Sequence, residues 1–277
     1  MKFSLKNFPK FHKLKYFEIF FLRTCCYFPP KPRRIKKHAD IINIDTFIKT
    51  YEKAFSAELW SNCQGKTVLD FGCGEGGYVL ALAQKGVEEV VGVDIQDQFL
   101  YAKMEADLRG LDQIKFVKGS SDGLPSEAFD VVISHDSFEH FEAPKHILAE
   151  MVRLTKPGGT LYIKFGPPWK NPWGRHMSGT IRKDRPWVHL FVPEKVIMRV
   201  HSVYHNELVL KEKYAQLDGG LNKMTINRFR RILKGQDRVK ILRFEVNPMF
   251  GWAILKTPLI KEYFASSVMA ELKKLEK

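Results

Sequence analysis

The sequence predicts an α/β fold built on a doubly wound, mostly parallel sheet. Three observations carry this. Short apolar runs alternate with helically spaced segments between residues 66 and 166. The runs are continuous rather than alternating, as strands covered on both faces are. The first two end in an acid, and the first leads into a glycine-rich turn. Right-handed crossovers then place ligand sites at the carboxyl ends of the strands.

Lys66–Phe71 (K-T-V-L-D-F) reads as the first strand, and G-C-G-E-G-G as the turn that follows. Tyr78, Leu80, Ala81 and Leu82 have helical spacing, with Gly86 as the stop. Glu89–Asp94 is the second strand. Asp97–Leu108 is a helix that stops at Gly110, and Ile114–Lys118 is the third strand. Phe129–Ser134 is the fourth strand and Pro144–Thr155 a helix. Lys156–Gly159 reads as a turn before the fifth strand, Thr160–Phe165. Gly166–Val192 is long for a connection and rich in Pro, Trp and Gly, which marks an insertion after strand five that forms a lid or substrate wall. Pro193–Tyr204 and Lys223–Leu233 are helical, Val239–Val246 is a sixth strand, Pro258–Phe264 a short helix and Ser267–Leu272 the seventh strand.

The 277 residues fit one decorated domain. Residues 61–277 are assigned to it, with a cofactor half over 66–166, the lid over 166–192 and sheet completion over 193–277. Residues 1–60 read as a basic, helical N-terminal extension. The net charge of +14 is unevenly spread. Residues 1–60 carry 13 Lys and Arg against 5 Asp and Glu, residues 61–165 carry 10 against 16, and residues 166–277 carry 22 against 10. Basic flanks favour polyanions such as nucleic acid or acidic lipid, although a solvated Lys-rich surface has the same composition.

Tyr16–Phe28 is the most apolar early stretch. It is shorter than the roughly 20 residues of a membrane span and contains Glu18 and Arg23. Lysines and arginines flank it on both sides, from Lys2 to Lys15 and from Lys31 to Lys37. It could lie on an anionic membrane as an amphipathic helix, or pack Phe17, Phe20 and Phe21 on the core. Four cysteines without a C-x-x-C pair, and no cleavable signal, make a reducing cytoplasm the expected location. No metal is expected.

Three features meet at the strand ends: Asp70 with the Gly72–Gly77 loop, Asp94, and Ser120 to Asp122. Missing side chains at Gly72, Gly74 and Gly76 let a ligand approach the backbone. An acid about 20 residues on, Asp94, suits a ribose diol. A dinucleotide site would favour G-x-G-x-x-G with a free helix N-terminus for pyrophosphate. Asp70 and Glu75 would repel that group and suit a ligand with a cationic amino-acid end.

At this point the chain resembles the class I S-adenosylmethionine-dependent methyltransferases. V-L-D-F-G-C-G-E-G is similar to the family's first motif, and G-V-D-I carries its second-strand acid. G-S-S-D-G-L-P, F-D-V-V-I-S-H-D-S-F-E-H and L-T-K-P-G-G-T-L resemble the later motifs in the same order across 66–166. The nearest subgroup is the small-molecule type that includes ubiquinone- and menaquinone-biosynthesis methyltransferases. The resemblance implies a Rossmann-like seven-stranded sheet whose last strand is antiparallel, with S-adenosylmethionine as cofactor. Asp70 and the backbone of Gly72, Cys73, Gly74 and Gly76 would hold its methionine end, and Asp94 the ribose with Ile95 against the adenine. Ser121 and Asp122 would border the adenine. Ser120 stands where many relatives carry Asp, so either its hydroxyl or Asp122 takes that role. His135 and Asp136 would line the pocket near the sulfonium. Cys73 reads as a small residue in a tight turn rather than a reactive thiol.

In the lid, Trp169, Trp173 and Trp187 could form an apolar or sugar-stacking surface. Arg175, Arg182, Lys183 and Arg185 could pair an anionic acceptor. His176 and His189 are candidate bases, or structural residues bonded to backbone, and His140 is a third candidate with a pocket-lining alternative. The reading is methyl transfer to a small-molecule, lipid-linked or glycan acceptor, with O-methylation favoured. RNA or DNA methylation is the alternative suggested by the basic flanks, but H-D-S-F replaces N-P-P-Y or D-P-P-Y after strand four. A non-catalytic cofactor-binding protein and a dehydrogenase are the remaining alternatives.

Overall fold

The continuous apolar runs become strands because both faces of the sheet are covered. The computed structural model describes residues 13–25, 43–176, 185–205, 207–217, 219–250 and 257–276. Strands β1 (Thr67–Phe71), β2 (Glu89–Asp94), β3 (Ile114–Lys118), β4 (Phe129–His135), β5 (Thr155–Phe165), β6 (Val239–Pro248) and β7 (Ala265–Lys274) form one sheet in the order β3-β2-β1-β4-β5-β7-β6. Strands β1 to β5 are parallel, and β7 lies antiparallel between β5 and β6. The order reverses at the β1/β4 pair, so a crevice opens there at the carboxyl ends.

Side-chain alternation splits the core. Val68, Val90, Val131 and Ile133 pack on one face under helices α2 (Ile44–Phe55), α3 (Glu58–Cys63), α4 (Gly77–Gln84) and α5 (Leu100–Arg109). Leu69, Val91, Val132 and Ile163 pack on the other, under α6 (Pro144–Leu154) and, beyond the short α7 (Val188–Phe191) and α8 (Glu194–Tyr204), under α9 (Ile226–Lys234). Tyr51, Phe55, Leu59 and Trp60 are buried in the first cluster. Residues 44–60 are therefore a layer of the domain, and the boundary expected at residue 60 is not a packing boundary. The part of the N-terminal segment that stands outside the sheet's layers is α1 (Tyr16–Cys25), which joins α8 through Leu14, Phe21, Ile197, Met198 and Val200. Its Glu18 is buried against Arg199, whose Nε donates at 2.7 Å. Phe17 and Phe20 do not pack as the core-facing reading expects; they and Tyr16 face outward. Lys2, Lys6, Lys10 and the 31–37 basic cluster lie outside the described residues.

One expected turn is part of a strand. Phe129 pairs with Thr155 and Val131 with Thr160, so Lys156–Gly159 bulges out within β5 instead of preceding it. Helix α9 starts at Ile226 rather than Lys223, because Thr225 Oγ1 caps it by accepting from the Arg228 N–H at 3.1 Å. Helix α10 (Pro258–Phe264) leads into β7. Among the described residues, no helix is long and apolar enough to cross a membrane.

Candidate active site

A cleft of about 760 Å³ lies over the carboxyl ends of β1, β2, β3 and β4. Its floor is the loop that leaves β1. The Gly74 N–H donates to Asp94 Oδ2 at 2.8 Å, and the Gln96 N–H donates to Oδ1 at 2.9 Å. Each carboxylate oxygen keeps a lone pair for a further donor. A Cβ at Gly74 would meet no protein atom within 4 Å, so this position opens onto the cleft. Ile95 projects beside it, 73% exposed, an apolar platform next to an acid. Ser120 Oγ donates to Asp122 Oδ2 at 2.8 Å on the opposite rim. Ser121 is turned inward, its hydroxyl on Glu150 Oε1 at 2.9 Å.

Asp70 lies beneath the loop and is fully buried. Burial, reinforced by the Asp94 charge, pushes its carboxyl up to about 7. Its Oδ2 has no hydrogen-bond partner among the described residues. A buried acid without a donor is costly unless a ligand supplies one. An ammonium-bearing nucleoside fits this set: a buried acid, a bare backbone, a second acid for a diol and an apolar shelf. Asp94, Asp122, Asp136 and Glu150 line the cleft, while Asp70 lies beneath it outside the lining; the four acids make the cleft hostile to a diphosphate. Glu75, expected to share in that exclusion, is exposed on the outer side of the turn and is not part of the lining.

Residues 69–163 match the methyltransferase-domain family. An uncharacterized methyltransferase of Mycobacterium sp. (strain JLS) is 34% identical over 133 residues, covering 46% of this chain and 50% of that protein. Over residues 69–163, about a third of the chain, it is similar to methyltransferase domains. The chain spans about half the length of the curated relatives it matches. Solved structures share the fold over most of the chain. An S-adenosylmethionine-dependent methyltransferase from Mesorhizobium loti superposes with a TM-score of 0.51 at 17% identity, over 80% of this chain and 98% of that one. The [4+2]-cyclase SpnF does so with a TM-score of 0.52 at 16% identity, over 84% and 81%.

Three residues assigned to the cofactor are not part of the cleft's lining. Cys73 turns its thiol into the core, where a Cβ on Gly92 would meet its Sγ at 3.0 Å. Gly76 is a packing glycine: a Cβ there would strike Ala102 at 2.6 Å and Phe116 at 2.9 Å. His135 is buried among Tyr51, Phe55 and Tyr78, and burial lowers it to about 4. Gly72 lines the cleft and is required by close approach, since its Cβ would sit 2.7 Å from that of Ser137. Asp136 lines it too, held by Lys164 Nζ at 3.0 Å.

The residues of the insertion singled out above are not part of the cleft's lining. Trp169 packs edge-on against His189 and Tyr214. Trp187 donates its Nε1–H to the Lys170 carbonyl at 3.1 Å and meets Phe264. Trp173 is partly exposed. Arg175 is completely buried, so it does not present a guanidinium to the cleft. Arg182 and Lys183 lie outside the described residues. His189 Nε2 bonds the Trp169 carbonyl at 2.6 Å, and burial lowers it to about 4; it holds the lid's backbone.

His140 and His176 do come together, with a residue that motif reading passed over. Glu139 is buried, and desolvation pushes its carboxyl up to about 8. Its Oε1 accepts from the Gly166 N–H at 3.2 Å. The only signal in the sequence is its place between Phe138 and His140, which says nothing of burial. Ser137, whose Oγ donates to the Gly72 carbonyl at 2.8 Å, was equally invisible.

Proposed function

We propose that the protein transfers the methyl group of S-adenosylmethionine to an oxygen of a small-molecule, lipid-linked or glycan acceptor. The observation that carries this is the buried Asp70 Oδ2, without a hydrogen-bond partner among the described residues, beneath the open Gly74–Asp94 edge. Asp70 would receive the methionine ammonium, Asp94 the ribose hydroxyls, and Ile95 and Asp122 the adenine. The bound cofactor supplies a methyl group already activated on a sulfonium. The chain's task is to align an acceptor in line with it and to keep water out. Asp136, Ser137, His140 and Phe141 form the cleft wall nearest the insertion, where the acceptor would enter.

The acidic lining favours a neutral acceptor over the anionic one expected from the lid's arginines, because Arg175 is buried away from it. Nucleic acid is the second reading, supported only by the basic flanks. Peripheral contact with an anionic membrane belongs to the proposal. Tyr16, Phe17 and Phe20 are 93%, 56% and 61% exposed on α1, beside exposed Lys13 and Lys15.

Two measurements test the function. Calorimetry with S-adenosylmethionine and S-adenosylhomocysteine should show saturable binding; its absence removes the cofactor claim. Radiolabelled methyl transfer to a lysate fractionated into lipid, glycan, RNA and small-molecule pools should label a non-RNA pool, and label confined to RNA would favour the second reading.

A further inference from the structure

Glu139, His140 and His176 offer one ligand atom each within 4.8 Å of one another. They come from three places: the turn after β4 supplies Glu139 and His140, and the insertion after β5 supplies His176. The hydrogen bonds fix which atoms remain available. His140 Nδ1 lies 2.8 Å from the Gly220 carbonyl, which can only accept. Nδ1 therefore carries the proton, and Nε2 keeps its lone pair. His176 Nε2 lies 2.8 Å from the Pro167 carbonyl, so there Nδ1 keeps the lone pair. That Nδ1 is 3.9 Å from Glu139 Oε1.

This separation is too long for a hydrogen bond. The three groups nevertheless stand close enough for one ion to reach an atom of each. Glu139 Oε2 is buried, its residue 2% exposed, and has no hydrogen-bond partner among the described residues. The nearby cation is Lys164, whose Nζ bonds Asp136 Oδ1 at 3.0 Å and lies 3.3 Å from His135 Nε2, with no bond to Glu139 among the described residues.

We propose that Glu139, His140 and His176 bind a divalent first-row transition ion, with Zn²⁺ as the type, at the wall of the methyl-transfer cleft. Imidazole with one carboxylate suits Zn²⁺ and its neighbours, whereas Mg²⁺ and Ca²⁺ prefer all-oxygen sets. Backbone carbonyls on both far ring nitrogens are the outer-shell partners that orient metal-ligating histidines. At metal–ligand distances of about 2.0–2.2 Å, tetrahedral ligands stand roughly 3.4 Å apart, so the three groups need to close by little more than about an ångström. Three protein ligands leave a coordination position open. His140 lines the cleft, so the ion would stand at its wall. There the ion would hold an acceptor hydroxyl and ease loss of its proton. That role rests on the methyl-transfer reading; the binding of the ion does not.

The test uses the full-length protein, stripped with a chelator and titrated with Co²⁺ in the absence of cofactor. One equivalent should give a saturable visible absorption that Zn²⁺ displaces. His176→Ala should weaken the titration by more than the roughly 10–100-fold that loss of an outer-shell partner costs. Glu139→Gln should do the same with its volume preserved. S-adenosylmethionine binding, measured separately, should persist in His176→Ala, so failure of the ion site and failure of the cofactor site are distinguishable. A folded wild-type protein without saturable Co²⁺ absorption overturns the proposal. So does a titration that both variants leave unchanged, which would mark binding at other histidines.

Discussion

Gly74 and Asp94, 20 residues apart on neighbouring strand ends, are joined by a 2.8 Å bond from the backbone N–H to carboxylate Oδ2. The bond ties the loop after β1 to the acid after β2 and leaves the loop's open face toward the cleft. Asp94 is thus both the loop's clamp and the expected ribose acceptor. Charge-assisted hydrogen bonds contribute about 1.5–3 kcal/mol each. Asp94→Ala should therefore weaken S-adenosylmethionine binding by at least about 100-fold, for two such bonds lost. Asp94→Asn, which keeps an acceptor for Gly74, should fall between. Calorimetry on the three proteins checks the order, and equal affinities would refute the assignment.

The two loop glycines separate binding from stability. Gly74 and Gly76 both have positive φ, 52° and 78°. A side chain at either carries a left-handed penalty of about 1–2 kcal/mol. Only Gly76 is also crowded, by Ala102 and Phe116. Gly76→Ala should add an overpacking cost of about 1–3 kcal/mol and lower the melting temperature clearly. Gly74→Ala points into space that the cofactor would fill. It should melt below the wild type by the left-handed penalty alone, less than Gly76→Ala does, yet lose most cofactor affinity. Thermal denaturation alongside calorimetry distinguishes the two.

Asp70 should make cofactor binding pH-dependent. Its carboxyl is raised from 3.8 to about 7 by burial and by Asp94. The folded protein holds this proton where the unfolded chain does not, so the group's contribution to stability falls as pH rises from about 4 to 7 and is flat above. Binding runs the other way, because an ammonium favours the ionised acid. With only the ionised form competent, affinity at pH 6 should be roughly eightfold lower than at pH 7.5. Asp70→Asn should bind weakly with little pH dependence over that window. Above about pH 8 the ligand's own α-amino group begins to titrate, so the comparison ends there.

The strand ends were legible because their signals are local. Glu89–Asp94 and Ile114–Lys118 are bounded in the structure as their apolar runs predict, and Asp94 caps its strand as expected. Lys156–Gly159 misleads because proline and glycine signal a break in the chain, not whether the neighbouring strand continues past it. Side-chain direction was not legible at all. Nothing in D-F-G-C-G-E-G says that Cys73 faces the core while Gly74 faces the cleft. Nor does periodicity show that Glu139 and His176, 37 residues apart, meet beneath the lid. Arg175 was read as a surface cation because arginine usually is one; tertiary packing of the insertion buries it.

Helix α1 is held by one face and presents another. Arg199 ties it down through Glu18 Oε1 at 2.7 Å and the Lys13 carbonyl at 2.6 Å. Removing one partner of a buried pair costs about 3–5 kcal/mol. Because α1 sits in a satellite cluster apart from the two sheet-face cores, that loss should appear as local release. Arg199→Ala should make residues 13–25 sensitive to limited proteolysis with little change in the main melting transition. Outward-facing Tyr16, Phe17 and Phe20 should meanwhile bring the protein to vesicles containing anionic lipid and not to neutral ones. Burying a phenylalanine contributes about 1.5–3 kcal/mol, so Phe17→Ser should lower vesicle affinity by at least about tenfold. Raised salt should weaken binding independently, through Lys13 and Lys15. Sedimentation with both vesicle types measures it. Equal binding to neutral vesicles, or no loss on Phe17→Ser, would leave α1 as a packing element alone.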